Sequence, residues 1–208
     1  VVDLCVNRLP KKYGKSIVSS LQVITPSHKG AAGTDCLNSM LQKYLNPQMQ
    51  GKKEKKVRDV VFREGDKVMQ IKNNYDIEWE KDGQSGVGIF NGDIGRIESI
   101  DTDSETVCIN FDERIAVYEF DMLSELEHAY AMTVHKSQGS EYRAVILSCW
   151  GGSPYLLNRS VLYTAVTRAR ELLILVGRED TVGAMVNNAK VGRRYTGLKL
   201  RLQGKTKC

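Results

Sequence analysis

Apolar and polar positions change rhythm along this 208-residue chain, and each change marks a different kind of element. Val2, Val6 and Leu9 recur at helical spacing and predict a short amphipathic helix from Val1 to about Tyr13, interrupted by Pro10. Leu21 to Ile24 is a continuous apolar run ended by Thr25-Pro26, read as a strand. A loop of small residues, Ser27 to Gly33, leads into a helix from Thr34 to about Leu45, with Thr34 as its N-cap and Asn46-Pro47 as its stop. Ala144 to Cys149 and Leu172 to Val176 are again continuous apolar runs, the pattern of strands covered on both faces in a parallel sheet. The order strand, helix, strand, helix, strand predicts an α/β domain.

Between these runs the period shortens to two. Asp66 to Ile71, Gly92 to Ile100, Glu105 to Phe111 and Arg114 to Phe120 alternate, separated by Gly, Asp and Asn turns, and Asp112-Glu113 leaves room for a tight hairpin. These segments predict a small antiparallel β-barrel inserted into the α/β domain. Tyr75 to Gly88, rich in charge and glycine with Trp79 isolated in it, reads as a long hairpin tip. The expected organisation is a first α/β segment at residues 1–56, the barrel at 57–127, and a second α/β segment with a basic C-terminal tail at 128–208.

Charge sharpens that division. The net +5 conceals fifteen carboxylates against three cations from Asn74 to Glu127, whereas Lys190 to Cys208 holds seven cations and no carboxylate. Lys52 to Arg58 adds a second basic run. The ends of the chain suit a polyanion, and the acidic barrel suits a protein partner better than nucleic acid. Composition is that of a soluble globular protein, with 41% hydrophobic and 26% charged residues. No apolar run approaches the ~20 residues of a membrane span, so no membrane partner is expected. Five unpaired-looking cysteines and three scattered histidines argue for a reducing, cytoplasmic setting and against a metal site. The start without Met, inside an apparent helix, suggests a piece of a longer protein.

Chemistry concentrates in Tyr130-Ala-Met-Thr-Val-His-Lys-Ser-Gln-Gly-Ser-Glu-Tyr142. Thr133, His135 and Lys136 offer a hydroxyl, an imidazole and a cation; Gly139 permits close backbone approach, and Glu141 offers a carboxylate to a sugar hydroxyl. A solvated turn is the plain alternative for such a polar run. A second block, Leu156 to Arg170, precedes the last apolar run.

The two blocks, VHKSQGSEY and LYTAVTRAR, resemble motifs V and VI of superfamily 1 helicases, and their wording resembles the RecD/TraA branch. Arg63 to Tyr75 and Phe90 to Gly95 resemble signature stretches of that family's Src-homology-3-like barrel. The resemblance implies a RecA-like second motor domain of the P-loop NTPase type, itself without the P-loop, and an ATP-dependent 5′–3′ DNA helicase acting in DNA repair and recombination. Arg168 then takes the role of arginine finger, with Arg170 structural beside it. Glu141 takes the nucleotide ribose, Gly139 allows its approach, and Lys29 reaches the phosphates from the stretch resembling motif IV. Thr133 and His135, with Lys136, hold single-stranded DNA from a loop between a helix and a strand. The cofactor implied is ATP with Mg, the metal ligands coming from the N-terminal motor domain of the same parent chain. The chain alone is then not expected to hydrolyse ATP.

Alternatives remain at this stage. Arg168 could be a helix-surface arginine paired with Glu171, and Tyr163 could be core packing. His28 stands where the family more often has an arginine. Leu9 to Ser16 ends in Gly-Lys-Ser but has Leu9 where a P-loop needs glycine. The parent could act alone or as a subunit of an ATP-dependent exodeoxyribonuclease. It could also be the helicase part of a conjugative relaxase, or the chain could be a non-enzymatic docking module.

Overall fold

The computed structural model describes residues 1–150, 155–189 and 201–203. Apart from residues 201–203, the basic tail lies outside the described residues.

The chain opens with a π-helical turn, Leu4–Arg8, that continues into α1, Leu9–Tyr13. Pro10 does not interrupt this helix. It follows directly on the π-helical turn, at the second position of α1, and the backbone stays helical through it. Strand β1 (Leu21–Thr25) follows, buried throughout, and then α2 (Thr34–Leu45). Gly33, not Thr34, is the N-cap; the Thr34 hydroxyl instead meets His28 Nδ1 at 3.1 Å. Gly33 is needed because a Cβ there would lie 2.2 Å from the His28 carbonyl oxygen. His28 is thus part of the loop that launches α2.

The basic run folds into a two-stranded ribbon, β2 (Glu54–Val57) and β3 (Val60–Arg63). The barrel strands come next: β4 (Lys67–Gln70), β5 (Asn74–Lys81), β6 (Gln84–Ile89), β7 (Ile94–Asp101), β8 (Thr106–Phe111) and β9 (Arg114–Glu119). β10 (Leu126–His128) closes a seven-stranded antiparallel sheet ordered β10-β4-β7-β8-β9-β5-β6. Its interior holds Val68, Ile97, Ile109, Phe111 and Tyr118, from the period-two segments of the sequence, together with Phe62 from β3. The β8–β9 hairpin turns on Asp112 and Glu113, both at positive φ (52° and 70°), the geometry that matches strand twist. Tyr75 to Gly88 is not a tip: β5 and β6 are full strands turning at Asp82-Gly83, and Trp79 packs against the barrel core.

The parallel sheet is completed by β11 (Ala131–Thr133), β12 (Tyr142–Cys149) and β13 (Ala169–Gly177), in the order β11-β1-β12-β13. Alternate residues face opposite sides. Val23, Ala144 and Ile146 pack with Cys5, Leu9, Leu37 and Leu41 beneath α1 and α2. Ile24, Val145 and Leu147 pack beneath α3 (Arg159–Val166) and α4 (Glu179–Asn187) through Val161, Ala165 and Met185. Covering both faces explains why β1 and β12 read as continuous apolar runs, whereas β13, at the end of the sheet, is only half-buried; a fully buried Ile24 or Leu41 contributes roughly 1.5–3 kcal/mol.

Barrel and α/β sheet meet around Asp66. Its carboxylate, fully buried, accepts from Gln42 Nε2 (2.6 Å), Asn46 Nδ2 (2.6 Å), the Tyr130 hydroxyl (2.9 Å) and the Arg63 amide (2.8 Å), with His128 Nε2 at 3.1 Å. Burial opposes its ionisation, but hydrogen bonds from His128, Asn46 and the Arg63 amide, with the charge of His128, outweigh it and hold the carboxyl below its ordinary range.

Candidate nucleotide and nucleic-acid surfaces

β11 and β12 are parallel neighbours of β1, so the chain must cross over between them. Such crossovers usually take a dozen or more residues and a helix. Here residues 134–141 do it in successive turns: the Ser137 amide donates to Thr133 O, Gln138 to His135 O and Ser140 to Ser137 O. Val134 and Ser137 are buried anchors, Ser137 donating its hydroxyl to Val134 O at 2.8 Å. The motif V stretch therefore lies between two strands, not between a helix and a strand as the sequence suggested. Its two ends sit at opposite ends of the sheet.

At the far end, Thr133 pairs with Thr25 and is 4% exposed. Its hydroxyl accepts from the Lys136 amide at 3.3 Å, so it shapes the turn that presents the exposed His135. The Lys136 ammonium donates to Glu127 at 2.7 Å. His135, Lys136, Gln138 and Ser140 line one wall of a cleft of about 540 Å³ whose other wall is the barrel turn Asn91-Gly92-Asp93. Lys29 is exposed in the loop after β1, and the Val134 amide donates to Thr25 O at the start of that loop. Lys29 thus shares an end of the sheet with Thr133.

At the near end, Asn158 caps α3 through the Val161 amide (3.0 Å), and the helix delivers Arg168 to the start of β13. The half-buried Arg168 guanidinium donates to Thr164 O (3.1 Å), Ser140 O (2.9 Å) and Thr167 Oγ1 (3.2 Å). With five N–H groups in all, one on each terminal nitrogen makes no hydrogen bond to a described residue. Ser140 precedes Glu141, so the structure brings Arg168 and the Glu141 segment together. Glu141 is exposed, with Arg170 Nε at 3.6 Å. Glu171 pairs with Arg143 at 2.7 Å, not with Arg168. Tyr163 is 70% exposed and is not core packing. Gly139 adopts φ +86°, and nothing lies within 4 Å of where its Cβ would be, so the residue is fixed by backbone conformation in open space.

Lys29 is not part of this group. The register sets Thr25 beside Thr133 and Leu21 beside Ala144, which separates Lys29 from Glu141 by on the order of 20 Å along the strands. A free guanidinium edge, an exposed carboxylate and open space at Gly139 suit the ribose and terminal phosphate of a nucleotide shared with another lobe. Among the described residues no cluster of His, Cys, Asp or Glu could hold a metal ion.

Sequence reasoning passed over Asp66, Gln42, Asn46, His128 and Tyr130. Only the Gly65-Asp66 pair ahead of an apolar strand hinted at them, because their meeting point is set by tertiary structure.

A parallel sheet covered on both faces, a motif V crossover bonded to a motif VI arginine, and an inserted antiparallel barrel together define a second RecA-like motor domain with a Src-homology-3-like insertion. Residues 37–111 match the SH3 domain of ATP-dependent RecD-like DNA helicases, and residues 128–176 match the UvrD-like helicase C-terminal domain. The chain is related to the C-terminal part of RecD-like superfamily 1 helicases. It is 34% identical over 158 residues to the ATP-dependent RecD2 DNA helicase of Deinococcus radiodurans, a match spanning 76% of this chain and 20% of that protein. It is 36% identical over 118 residues to the RecBCD enzyme subunit RecD of Mycobacterium tuberculosis, spanning 57% of this chain and 20% of that protein. The chain thus spans about a fifth of the length of these relatives. In fold it is similar to a Bacteroides Pif1 helicase solved with ADP-AlF3 and ssDNA, at TM-score 0.52 and 17% identity, covering 98% of this chain and 49% of that one.

Proposed function

We propose that this chain is the second motor lobe of an ATP-dependent 5′–3′ DNA helicase and completes a nucleotide site opened by the first lobe of the same parent. The observation that carries this reading is the 2.9 Å bond from Arg168 to the Ser140 carbonyl, which ties the motif VI arginine to the segment bearing Glu141. Arg168 would present its free N–H edge to the terminal phosphate, where a guanidinium offsets charge developing in transfer. Glu141 would accept from the ribose, and Gly139 would let the backbone approach. Magnesium-bound ATP, its metal ligands on the first lobe, supplies the phosphoryl group and the driving energy.

The crossover 134–141 gives the coupling. One end bonds Arg168, the other presents His135 and Lys136 to the cleft beside the barrel turn, so displacement at one end is passed to the other. Thr133 holds that turn, and Lys29, at the same end of the sheet, joins the nucleic-acid surface as a phosphate contact; this replaces its sequence-based role at the nucleotide. Single-stranded DNA would be gripped by its backbone, without base readout.

The test compares steady-state ATP turnover, with and without oligo-dT, for the parent and for the 208-residue chain alone. The parent turns over ATP when DNA is added and the isolated chain does not. Turnover by the isolated chain above a contamination control overturns the reading.

A further inference from the structure

The barrel carries an exposed surface that shares no lining residue with the motif V cleft. β5, β6 and β9 form one end of its sheet, and their outward side chains line a groove of about 790 Å³. Glu78 lies opposite Val87, and Glu80 lies opposite both Ile115 and Ser85. Continuing the β5–β9 register sets Val117 on the other side of Glu78. Val87 is 64% exposed and Val117 57% exposed, unusual for valines on a sheet face in water. The half-buried Trp79 lies on the core-facing side of β5, its ring so close over Gly86 that a Cβ there would be 2.3 Å away.

Charge on this surface has one sign. Asp76, Glu78, Glu80 and Glu119 line the groove, no lysine or arginine does, and none of the four makes an ion pair with a described residue. Elsewhere on the barrel carboxylates are paired: Glu113 with Lys81 and Asp93 with Arg114.

We propose that this face docks an extended segment of a protein partner that carries lysine or arginine and valine or isoleucine at every second position, all on one side, lying across β6, β5 and β9. Its cations would pair with Glu78 and Glu80 while its apolar side chains cover Val87 and Val117. The four unpaired carboxylates exclude nucleic acid from this face.

The test is fluorescence anisotropy on the full chain with two labelled twelve-residue probes of equal charge, one repeating Lys-Gly-Val-Gly and one repeating Lys-Gly-Ser-Gly, so that lysine and valine share one side of the extended probe. The valine peptide binds, and the serine peptide binds roughly tenfold or more weakly, because it leaves the valines uncovered. V87S/V117S removes that preference at constant charge. E78Q/E80Q weakens both peptides and flattens their salt dependence, and circular dichroism shows both variants folded. Equal binding of the two peptides, or affinities unmoved in either variant, overturns the proposal. Carbodiimide crosslinking of Glu78 or Glu80 to the chain's own 190–208 lysines, or self-association lost in V87S/V117S, assigns the face to the chain itself and also overturns it. Tighter oligo-dT binding in E78Q/E80Q at unchanged peptide affinity does the same in favour of nucleic acid.

Discussion

The Tyr130 hydroxyl donates to the Asp66 carboxylate at 2.9 Å, across the seam between the first strand-turn of the barrel and the entry to β11. Burial and the Asp66 charge push the Tyr130 hydroxyl pKa far up, so the bond is that of a neutral donor to a carboxylate. Asp66→Ala strands Gln42, Asn46, Tyr130 and His128 without their common acceptor and should cost about 3–5 kcal/mol in urea unfolding. Tyr130→Phe removes one donor of several and should cost about 1–2 kcal/mol. Because the folded carboxyl is held below its ordinary value of 3.8, the stabilisation it gives is present at neutral pH and lost as pH falls below that value. The wild-type chain should therefore lose more stability than Asp66→Asn between about pH 4 and pH 2; parallel pH profiles would remove Asp66 from this role.

Lys67, next in the chain, has its charged form disfavoured by the fold where that of Asp66 is favoured. Its ammonium donates to Gln22 Oε1 at 2.8 Å and has Arg96, a like charge, as the neighbour that perturbs it. Burial, then Arg96, pushes its pKa down from 10.5 to about 8. The unfolded chain thus binds the proton more tightly, and stability rises as pH climbs from about 8 to 10.5, by up to about 3 kcal/mol. Lys67→Met should abolish that rise; a variant whose alkaline profile matches the parent's would show the lysine to be fully charged in the fold.

Much of the architecture was readable because burial on both faces leaves an unmistakable mark. β1 and β12 read as continuous apolar runs and are buried, β13 reads the same way but is half-buried at the end of the sheet, and β7 to β9 alternate cleanly with Asp112-Glu113 between strands. β10 and β11 were missed because three-residue strands carry too little pattern, and Ala131–Thr133 is masked by the polar block it begins. The Asp82-Gly83 dipeptide was a usable hairpin signal that the surrounding charge obscured. Pairing of Arg168 with the Glu141 segment followed from motif order, whereas the placement of Lys29 did not: in a parallel sheet a loop that follows one strand and segments that precede the next lie at opposite ends, and motif order alone does not report which side of its strand each motif occupies.

Lys136 and Glu127 make a prediction about nucleic-acid affinity. Their 2.7 Å ion pair is half-exposed, so Glu127 partly neutralises a cation facing the cleft while contributing little to stability. Glu127→Gln should leave unfolding nearly unchanged, tighten oligo-dT binding severalfold at low salt and steepen the salt slope. Lys136→Ala should weaken binding and reduce the log–log salt slope by about 0.7, the change expected when one phosphate fewer is neutralised on a single strand. Oligo-dT affinity indifferent to both changes would take this cleft out of the DNA path.

Arg168 allows a sharper separation of roles. Three of its N–H groups are spent on Thr164 O, Ser140 O and Thr167 Oγ1, which fix the guanidinium in place, and two remain to act. Arg168→Ala in the parent should lower ATP turnover by about 10³–10⁵ while sparing nucleotide binding. Arg168→Lys keeps the charge but cannot reproduce the fork that reaches three acceptors, so turnover should stay low in that variant too. If lysine restored most of the rate, charge alone would suffice and the Ser140 bond would be incidental. If alanine left turnover intact, the arginine would be holding the crossover and nothing more, and the catalytic cation would have to be sought elsewhere on this end of the sheet, where Arg170 lies 3.6 Å from Glu141.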